Sequence, residues 1–281
     1  MGYNVAIVGA AGYAGAELVR RLLEHPDFTV VAITSDSDAG KPLTSIYPAF
    51  IGKTDLVFTK HADLDTSSIQ AAFLAVPHTA AMAMVPGLLD AGVSVFDLSA
   101  DYRLKDAAIY EQWYNTPHTS PELLPRTAFG QPEICRDELD RAAAELAAGT
   151  PALVACAGCY PTATSLAAFP AVNAGWVQGQ VNVQAISGVT GAGRSANART
   201  HFCGANEDVE AYGVGTHRHT PEIEQILGLP GQVLFIPHLA PLNRGLLSTV
   251  TMQLSDEAAE GFSTEAAIEH YRAFYKGRPF V

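Results

Sequence analysis

Two cysteines lie three residues apart in the stretch "ALVACAGCYPTATSLAAF", where an apolar run gives way to a helical pattern. With ALVACAG as a strand and YPTATSLAAFPAV as a helix, Cys159 stands at or just before the helix N-terminus. Pro161 then falls near the first turn, where proline is tolerated. A helix N-terminus favours the thiolate, so Cys159 is the predicted nucleophile. Cys156 is predicted to be a small buried residue of the strand.

The same cysteine spacing is open to two other interpretations, a C-x-x-C redox pair and half of a zinc site. A structural zinc site needs a second set of ligands, and the sequence contains no second C-x-x-C. Cys135 and Cys203 each stand alone. We therefore predict no metal site.

A nucleophilic thiol needs an acid/base partner, and the stretch "THRHTPEIEQIL" supplies His217 and His219. The Thr-Pro-Glu sequence that follows is typical of an N-cap and a first helical turn. His219 is nearer to this cap and is the predicted acid/base. His217 could bind substrate or belong to a solvated His-Arg-His cluster. Backbone N–H groups near Cys159 are predicted to form the oxyanion hole.

A glycine-rich loop, "SGVTGAGRSA", runs from Ser187 to Ala196 and contains hydroxyl groups and Arg194. Small residues beside a cation suit an acyl phosphate or a carboxylate. The alternative is a long loop at the end of a strand with no ligand.

A second glycine motif, "GAAGYAG", follows the first predicted strand and places Gly9, Gly12 and Gly15 before a helix. Such glycines permit a tight turn and a close backbone approach, and the helix presents N–H groups to a pyrophosphate. The spacing is G-x-x-G-x-x-G rather than G-x-G-x-x-G, so the motif indicates nucleotide binding only together with its strand-turn-helix context. The alternative is a merely structural turn.

The segment "TSDSDAGK" follows the second predicted strand, where an NAD enzyme often places an acid on the ribose hydroxyls. Asp36 could fill that role. In the alternative, Asp36 faces solvent and a pocket for a 2′-phosphate is lined by Thr34, Ser35, Ser37 and Lys41. The segment by itself leaves both interpretations open.

The elements that must position these residues alternate between strand and helix in the first half of the chain. NVAIVG, FTVVAITS, LVF, AAFLAV and VSVFDLS are strand-like, YAGAELVRRLLEHPD is a helix ended by His25-Pro26, and TAAMAMVPGLLDAG is a helix broken near Pro86-Gly87. This alternation predicts an α/β Rossmann-type domain, residues 1–157, whose mostly parallel sheet is covered on both faces. The later strands VNVQAISGV, QVLFIP and GLLSTVTMQLS predict an α+β catalytic and dimerisation domain, residues 158–281.

Composition excludes several classes of partner. The 281 residues carry a net charge of −12, which argues against nucleic acid and an anionic membrane surface. The sequence begins with a strand and a glycine turn, so we expect no leader peptide. Four cysteines without a dense framework fit a reducing compartment, and we expect a cytoplasmic protein.

The sequence resembles the N-acetyl-gamma-glutamyl-phosphate reductases of arginine biosynthesis, in the semialdehyde dehydrogenase superfamily. Five stretches carry the resemblance in order along essentially the whole chain: VGAAGYAGAEL, FDLSADYRL, AGCYPTA, SGVTGAGR and YGVGTHRHTPEI. The resemblance implies reduction of an acyl phosphate to a semialdehyde by NADPH, with release of inorganic phosphate through a cysteine thioester. It also implies a small-molecule substrate and a homo-oligomer, either a dimer or a tetramer.

The same resemblance assigns roles to residues. Cys159 carries the thioester, His219 is the acid/base, and the hydroxyl-and-lysine pocket holds the cofactor NADP(H). The residues implied to bind the cofactor are Gly9, Gly12, Tyr13, Ala14, Gly15, Ser35, Ser37, Lys41 and Pro77. The residues implied to bind the substrate are Ser99, Arg103, Ser187, Gly188, Arg194 and His217.

Three other functions stay open. Aspartate-semialdehyde dehydrogenases share the chemistry and general architecture, although AGCYPTA and THRHTPEI match the arginine enzyme better. A lysine-pathway homologue would act on a carrier-bound substrate. A non-catalytic redox sensor could use Cys156 and Cys159 as a switch, but it would have no need of the histidines or the glycine-rich loop.

The sequence departs from the family pattern at its end. Members of the family continue past GRPFV with a strand and a helix that pack on the dinucleotide-binding domain and help to hold the nicotinamide. For a chain that ends at Phe280-Val281 we therefore expect weakened binding of the cofactor.

Overall fold

The computed structural model describes residues 2–281. The chain divides into two compact units: unit 1 comprises Met1–Gly130 and Asp137–Cys156, and unit 2 comprises Gln131–Arg136 and Ala157–Val281. Along residues 2–281, no helix combines the length and the apolar character that crossing a bilayer requires.

Unit 1 is built on a parallel sheet. Its strands are β1 (Tyr3–Val8), β2 (Phe28–Thr34), β3 (Phe58–Thr59), β4 (Ala71–Leu74), β5 (Ser94–Asp97), β6 (Ala128–Gly130) and β7 (Leu153–Cys156). In the sheet they stand in the order β3-β2-β1-β4-β5-β7-β6, and the pairings along it are parallel. The strand order reverses between β1 and β4, the position where open α/β sheets bind ligands.

Helices connect these strands. They are α1 (Tyr13–Leu22), α2 (Leu43–Ile46), α3 (Val85–Asp90), α4 (Ala107–Tyr114) and α5 (Arg136–Ala147). Shorter 3-10 turns occupy Pro48–Phe50, His61–Asp63, Thr66–Ser68, Ala81–Ala83 and Pro121–Leu123.

Both faces of this sheet are buried. Successive side chains of a strand point to opposite faces, so Val5 and Ile7 join one core cluster while Ala6 and Val8 join another. A sheet covered on both faces needs near-continuous apolar strands, and NVAIVG supplies one. The predicted α/β class of this part of the chain is confirmed.

Two predicted helix boundaries differ from the structure. α1 ends at Leu22, before the predicted His25-Pro26 stop, and the chain turns there with the His25 N–H donating to the Leu22 carbonyl. The predicted break near Pro86-Gly87 lies earlier, between the 3-10 turn and α3. Pro86 sits in the first turn of α3, where its missing N–H has no helical partner to lose.

Unit 2 contains a mixed sheet with helices packed on it. Its elements are α6 (Cys159–Asn173), β8 (Val177–Gly188), α7 (Phe202–Ala205), β9 (Glu210–Ala211), α8 (Thr220–Leu227), β10 (Val233–Ala240), β11 (Leu246–Leu254), α9 (Asp256–Ala259) and α10 (Thr264–Phe274). The strand order is β11-β8-β10-β9, with β8 and β10 parallel and the outer pairings antiparallel.

The core of unit 2 joins α6 and α8 to one face of this sheet. Tyr160 and Ala168 of α6 and Ile223 of α8 pack with Val183 of β8 and Phe235 of β10. Both helices therefore share one core with the strands of this sheet.

Candidate active site

Cys159 is the first residue of α6, and its side chain is exposed. Gly158 is the N-cap, in an extended conformation, and neither a side-chain cap nor an acidic residue occupies the first turn. The positive end of the helix dipole is thus offered to the thiol without a competing carboxylate in that turn. This environment favours the thiolate that nucleophilic attack requires.

A carboxylate that the sequence reasoning missed ties this helix start to a second one. The Gly158 N–H donates to Glu222 Oε1 at 2.8 Å, and Glu222 is only 2% exposed. Glu222 is the third residue of α8, whose N-cap is His219. The hydrogen bond therefore joins the junction that carries Cys159 to the junction that carries His219. It also engages the Gly158 N–H, so an oxyanion hole would use N–H groups from Cys159 onward.

Aromatic rings pack around the two histidines. The rings of His217 and His219 have centroids 4.9 Å apart. Tyr160, the neighbour of Cys159, lies 5.6 Å from the ring of His217 and 5.9 Å from that of His219. Tyr212 and Phe235 each lie 5.3 Å from His217. Both histidine rings therefore pack against Tyr160, the residue that follows Cys159 in α6.

The two histidines occupy different electrostatic environments. The His219 backbone N–H donates to His217 Nδ1 at 3.1 Å, so that nitrogen carries no proton. Burial lowers the pKa of His217 to about 4, and the charge of Arg218 acts in the same direction. His217 is therefore neutral near pH 7 and able to accept the hydrogen bond from the His219 backbone N–H.

The glycine-rich loop begins inside unit 2 and ends at its surface. Ser187 and Gly188 are buried at the end of β8, and Ser187 lies within hydrogen-bonding reach of the Tyr160 hydroxyl. A Cβ at Gly188 would lie 2.5 Å from the Leu242 carbonyl oxygen, which gives this glycine a packing role. Arg194 is exposed beyond the 3-10 turn Val189–Ala192. The structure thus places Ser187 near the Tyr160 hydroxyl and leaves Arg194 in the outer loop.

In unit 1, the predicted cofactor residues gather at the carboxyl ends of β1, β2 and β4. A Cβ at Gly9 would lie 2.4 Å from the Ala75 carbonyl oxygen, and one at Gly15 would lie 2.5 Å from the Gly9 carbonyl oxygen. Gly12 differs, because the nearest atom to its Cβ position would be 3.6 Å away. Packing explains Gly9 and Gly15, whereas Gly12 leaves room for a ligand above the turn.

The N-terminus of α1 fits a pyrophosphate. Gly12 is its N-cap, no side chain caps the first N–H groups, and the first turn contains no acidic residue. Tyr13 and Ala14 begin the helix, and Pro77 is exposed in the loop that follows β4, the strand paired with β1. Uncapped N–H groups at a switch point of the sheet form an anion site.

The loop after β2 contains an acid that the sequence reasoning did not single out. Asp36 is exposed and accepts a hydrogen bond from the His61 backbone N–H at 2.9 Å. Asp38 instead is buried, at 6% exposure, and Lys41 Nζ donates to its Oδ1 at 2.9 Å. The Ser37 and Ser35 hydroxyls donate to Asp38 Oδ2 at 3.0 and 3.3 Å. The predicted hydroxyl-and-lysine pocket therefore already surrounds a carboxylate.

The motif FDLSADYRL forms a buried polar network in unit 1. Ser99 donates from its backbone N–H and its hydroxyl to the carboxylate of Asp97, both at 2.8 Å. Burial raises the pKa of Asp97 to about 6. Arg103 donates from Nε to the Cys156 carbonyl at 2.8 Å and from Nη2 to the Leu98 carbonyl at 2.7 Å. Ser99 and Arg103 thus hold the ends of β5 and β7, and their contact with substrate stays a prediction.

Cys156 is the last residue of β7, and its carbonyl accepts the hydrogen bond from Arg103. Burial raises the pKa of its thiol to about 12, and the nearby Asp97 carboxylate acts in the same direction. A thiol in this environment remains protonated and unreactive near neutral pH.

Two family models match the chain. Residues 4–142 match the semialdehyde dehydrogenase NAD binding domain, and residues 159–281 match the semialdehyde dehydrogenase dimerisation domain. Among solved structures, an aspartate semialdehyde dehydrogenase with NADP from Candida albicans has a TM-score of 0.72 at 14% identity, covering 96% of this chain and 76% of that one. A probable aspartate-semialdehyde dehydrogenase from Pseudomonas aeruginosa has a TM-score of 0.68 at 22% identity, covering 99% and 80%. These likenesses show the fold.

Curated relatives with higher sequence identity identify the family within the semialdehyde dehydrogenases. The N-acetyl-gamma-glutamyl-phosphate reductase of Symbiobacterium thermophilum is 42% identical over 100% of this chain and 79% of its own length. That of Citrifermentans bemidjiense is 43% identical over 99% of this chain and 78% of its own length. On the combined agreement of fold, domain models and near-full-length similarity, the chain belongs to the N-acetyl-gamma-glutamyl-phosphate reductase family of semialdehyde dehydrogenases.

Proposed function

We propose that the chain reduces N-acetyl-gamma-glutamyl phosphate to the corresponding semialdehyde and releases phosphate through a thioester on Cys159. The observation that carries this proposal is the paired helix start of unit 2, in which an exposed cysteine begins α6 and a histidine caps α8. The Gly158–Glu222 hydrogen bond holds the two starts together. Hydride transfer alone needs no thiol, whereas reduction of an acyl phosphate uses one to hold the acyl group.

The cofactor assigned to this reaction is NADPH, which supplies two electrons as a hydride when it is bound. The uncapped start of α1 would hold its pyrophosphate, with Gly12 allowing the close approach. Ser35, Ser37 and Lys41 would bind the 2′-phosphate, since hydroxyl and ammonium donors suit an anion.

The first role in the reaction belongs to Cys159. Its thiolate attacks the acyl carbon, a C–S bond forms, and the bond from that carbon to the phosphate oxygen breaks. Phosphate leaves and takes up one proton from solvent. N–H groups of the first turn of α6, from Cys159 onward, would stabilise the oxyanion at the acyl oxygen.

The second role belongs to His219. As the thioester is reduced, His219 protonates the oxygen of the resulting thiohemiacetal. It withdraws that proton when the C–S bond breaks, which yields the aldehyde and regenerates the Cys159 thiolate. His217 is a positioning residue in this proposal, because its neutral Nδ1 accepts the His219 backbone N–H.

Each residue proposed to bind the substrate is assigned on its own evidence. Ser187 is proposed to contact the substrate because it lies near the hydroxyl of Tyr160, the residue that follows Cys159 in α6. Gly188 would allow β8 to end against the backbone at Leu242. Arg194 is proposed to bind the phosphate or carboxylate from its exposed loop. Ser99 and Arg103 stay proposed substrate residues from the family resemblance.

We further propose a homo-oligomer that forms through the mixed sheet of unit 2. One face of this sheet carries Leu247, Thr249 and Thr251 of β11, paired with Ile186, Gln184 and Asn182 of β8. These six side chains include no charged group, and Leu247 is 62% exposed. An uncharged sheet face with exposed apolar residues is typical of an interface.

The proposed location is the cytoplasm. No disulfide joins the four cysteines in the part of the chain that the structure describes, and Cys159 must remain a thiol for the proposed chemistry. A reducing compartment supplies that condition.

The test is a phosphate-dependent oxidation assay of N-acetylglutamate semialdehyde, run with NADP⁺ and with NAD⁺. We expect turnover that requires phosphate and favours NADP⁺. Aspartate semialdehyde serves as the competing substrate, and its preferential turnover would transfer the proposal to the aspartate enzyme. Nucleotide binding without turnover of either aldehyde would instead favour a redox sensor.

A further inference from the structure

The loop after β2 holds a negative charge at the place proposed for a phosphate. Asp38 accepts hydrogen bonds from Ser35, Ser37 and Lys41, three groups that the proposed cofactor would use as donors. Hydrogen bonding from Lys41, followed by that from Ser37, lowers the pKa of Asp38, so the carboxylate is ionised at neutral pH. Its side chain is 8% exposed, compared with 55% for that of Lys41.

The loop backbone prevents Asp38 from leaving easily. The Ser35 N–H donates to the Thr59 carbonyl and the Gly40 N–H donates to the Phe58 carbonyl, at 2.9 and 2.7 Å. The Lys41 N–H donates to the Asp38 carbonyl at 3.0 Å. Backbone hydrogen bonds therefore anchor the loop on both sides of Asp38.

A hydroxyl group has one hydrogen to donate. While Ser35 and Ser37 donate to Asp38, they cannot donate to a phosphate, and the carboxylate would repel a second anion. Lys41 has two further N–H donors and can contact both anions.

We propose that Asp38 is an internal competitor of the 2′-phosphate and limits how strongly this chain prefers NADPH to NADH. The inference rests on the proposed cofactor site. In the absence of a 2′-phosphate, Asp38 satisfies the donors of the loop. When NADPH is bound, the two hydroxyls donate to the phosphate instead of the carboxylate, and Lys41 contacts both anions. NADH has no 2′-phosphate, so its binding leaves the hydrogen bonds to Asp38 in place.

Substitution of Asp38 by asparagine removes the charge and keeps the size. We expect Asp38→Asn to lower the dissociation constant of NADPH by about fivefold, because the neutral side chain no longer repels the 2′-phosphate. The dissociation constant of NADH should stay within about twofold of the wild type. Calorimetric titration of the full chain with each nucleotide measures both values without any turnover. Asp38→Ser, which also removes the charge, is the second variant should the asparagine variant fail to fold.

Asp36→Asn is the matched control, because it removes an equal charge from the same loop at a residue bonded to the His61 N–H instead. Its NADPH affinity should change by less than about twofold. An equal gain in both variants would reveal a general charge effect and overturn the inference. Weaker NADPH binding by Asp38→Asn would also overturn it, since Asp38 would then organise the donors rather than compete for them. Failure of the wild type to bind either nucleotide would overturn the proposed function itself.

Discussion

At the scale of single residues, two cysteines three positions apart lie in different environments, from which we expect different reactivity. Cys159 is exposed at the start of a helix, whereas Cys156 ends a buried strand with its carbonyl held by Arg103. Burial raises the pKa of Cys156 to about 12, so its thiol does not ionise at neutral pH. A redox pair needs thiols that ionise near neutral pH, and Cys156 does not meet that condition.

Replacing each cysteine by serine separates the two interpretations. We expect Cys159→Ser to lower kcat by about 10³-fold or more while the dissociation constant of NADPH stays nearly unchanged, because a hydroxyl lacks thiolate character. Cys156→Ser is the matched control and should keep much of its activity. Steady-state kinetics and nucleotide titration measure both effects. Equal loss of activity in the two variants would favour the redox pair and contradict the thioester assignment.

His217 and Asp97 give the chain opposing responses to pH. The pKa of His217 is lowered to about 4 from 6.5, so its contribution to stability is present above pH 6.5 and is lost as pH falls towards 4. The pKa of Asp97 is raised from 3.8 to about 6, so its contribution is present at low pH and is lost as pH rises through that range. Between pH 4 and 6 the two contributions oppose each other.

Variants of the two residues should reveal how each changes the slope of the unfolding free energy against pH. We expect the unfolding free energy of His217→Gln to fall with rising pH between about pH 4 and 6 relative to wild type, since one proton is no longer taken up on unfolding. Asp97→Asn should shift the slope in the opposite direction, which makes it the control. Urea denaturation at several pH values measures both slopes. Parallel curves for wild type and His217→Gln would show that His217 titrates alike in the folded and unfolded chain.

At the scale of elements, one hydrogen bond joins the start of α6, which carries Cys159, to the start of α8, which carries His219. Glu222 accepts the Gly158 N–H across 64 residues of sequence. Removal of this acceptor would leave a buried N–H without its partner, at a cost of about 1–3 kcal/mol. The position of Cys159 should therefore be sensitive to the side chain at 222.

Conservative and non-conservative variants of Glu222 test this contact. Glu222→Gln keeps an oxygen acceptor and should retain most of kcat, whereas Glu222→Ala should lose about 10- to 100-fold through misplacement of the nucleophile. Glu224→Ala, on the same helix, is the matched control and should leave kcat near the wild-type value. The rate of Cys159 alkylation as a function of pH reports the thiol directly. Equal kinetics for the glutamine and alanine variants would exclude a positioning role.

The elements that sequence alone predicts are those specified by local pattern. The strand, glycine turn and helix around Gly12, and the strand and helix around Cys159, each lie within one continuous stretch. Asp38 and Glu222 were missed for a different reason. Asp38 has the appearance of a solvated loop acid, and it is buried because β3, some 20 residues onward, anchors its loop. The partner of Glu222 is equally remote, so only the folded chain pairs them. Short elements such as β6 and β9, of three and two residues, also carry too little pattern to be recognised.

At the scale of the whole molecule, the mixed sheet of unit 2 has an outward row of side chains without charge. Val250 and Met252 of β11 pack inward on the core, whereas Leu247, Thr249 and Thr251 face outward. A solvated sheet face normally carries charged side chains, and this outward row has none. Residues 159–281 match a dimerisation domain, and we propose this face as its subunit contact.

A charge placed on this face should separate the subunits. We expect Leu247→Lys to shift the mass measured by sedimentation towards that of a single chain, because an interface that buries Leu247 would also bury an unpaired ammonium group. Ile51→Lys is the matched control: Ile51 is an exposed apolar residue of unit 1, at 71% compared with 62% for Leu247. It should leave the mass unchanged. The melting temperature of Leu247→Lys should rise with protein concentration less than that of wild type, since association contributes to stability by mass action. An unchanged mass for Leu247→Lys at all concentrations would place the subunit contact elsewhere or show that the wild type does not associate.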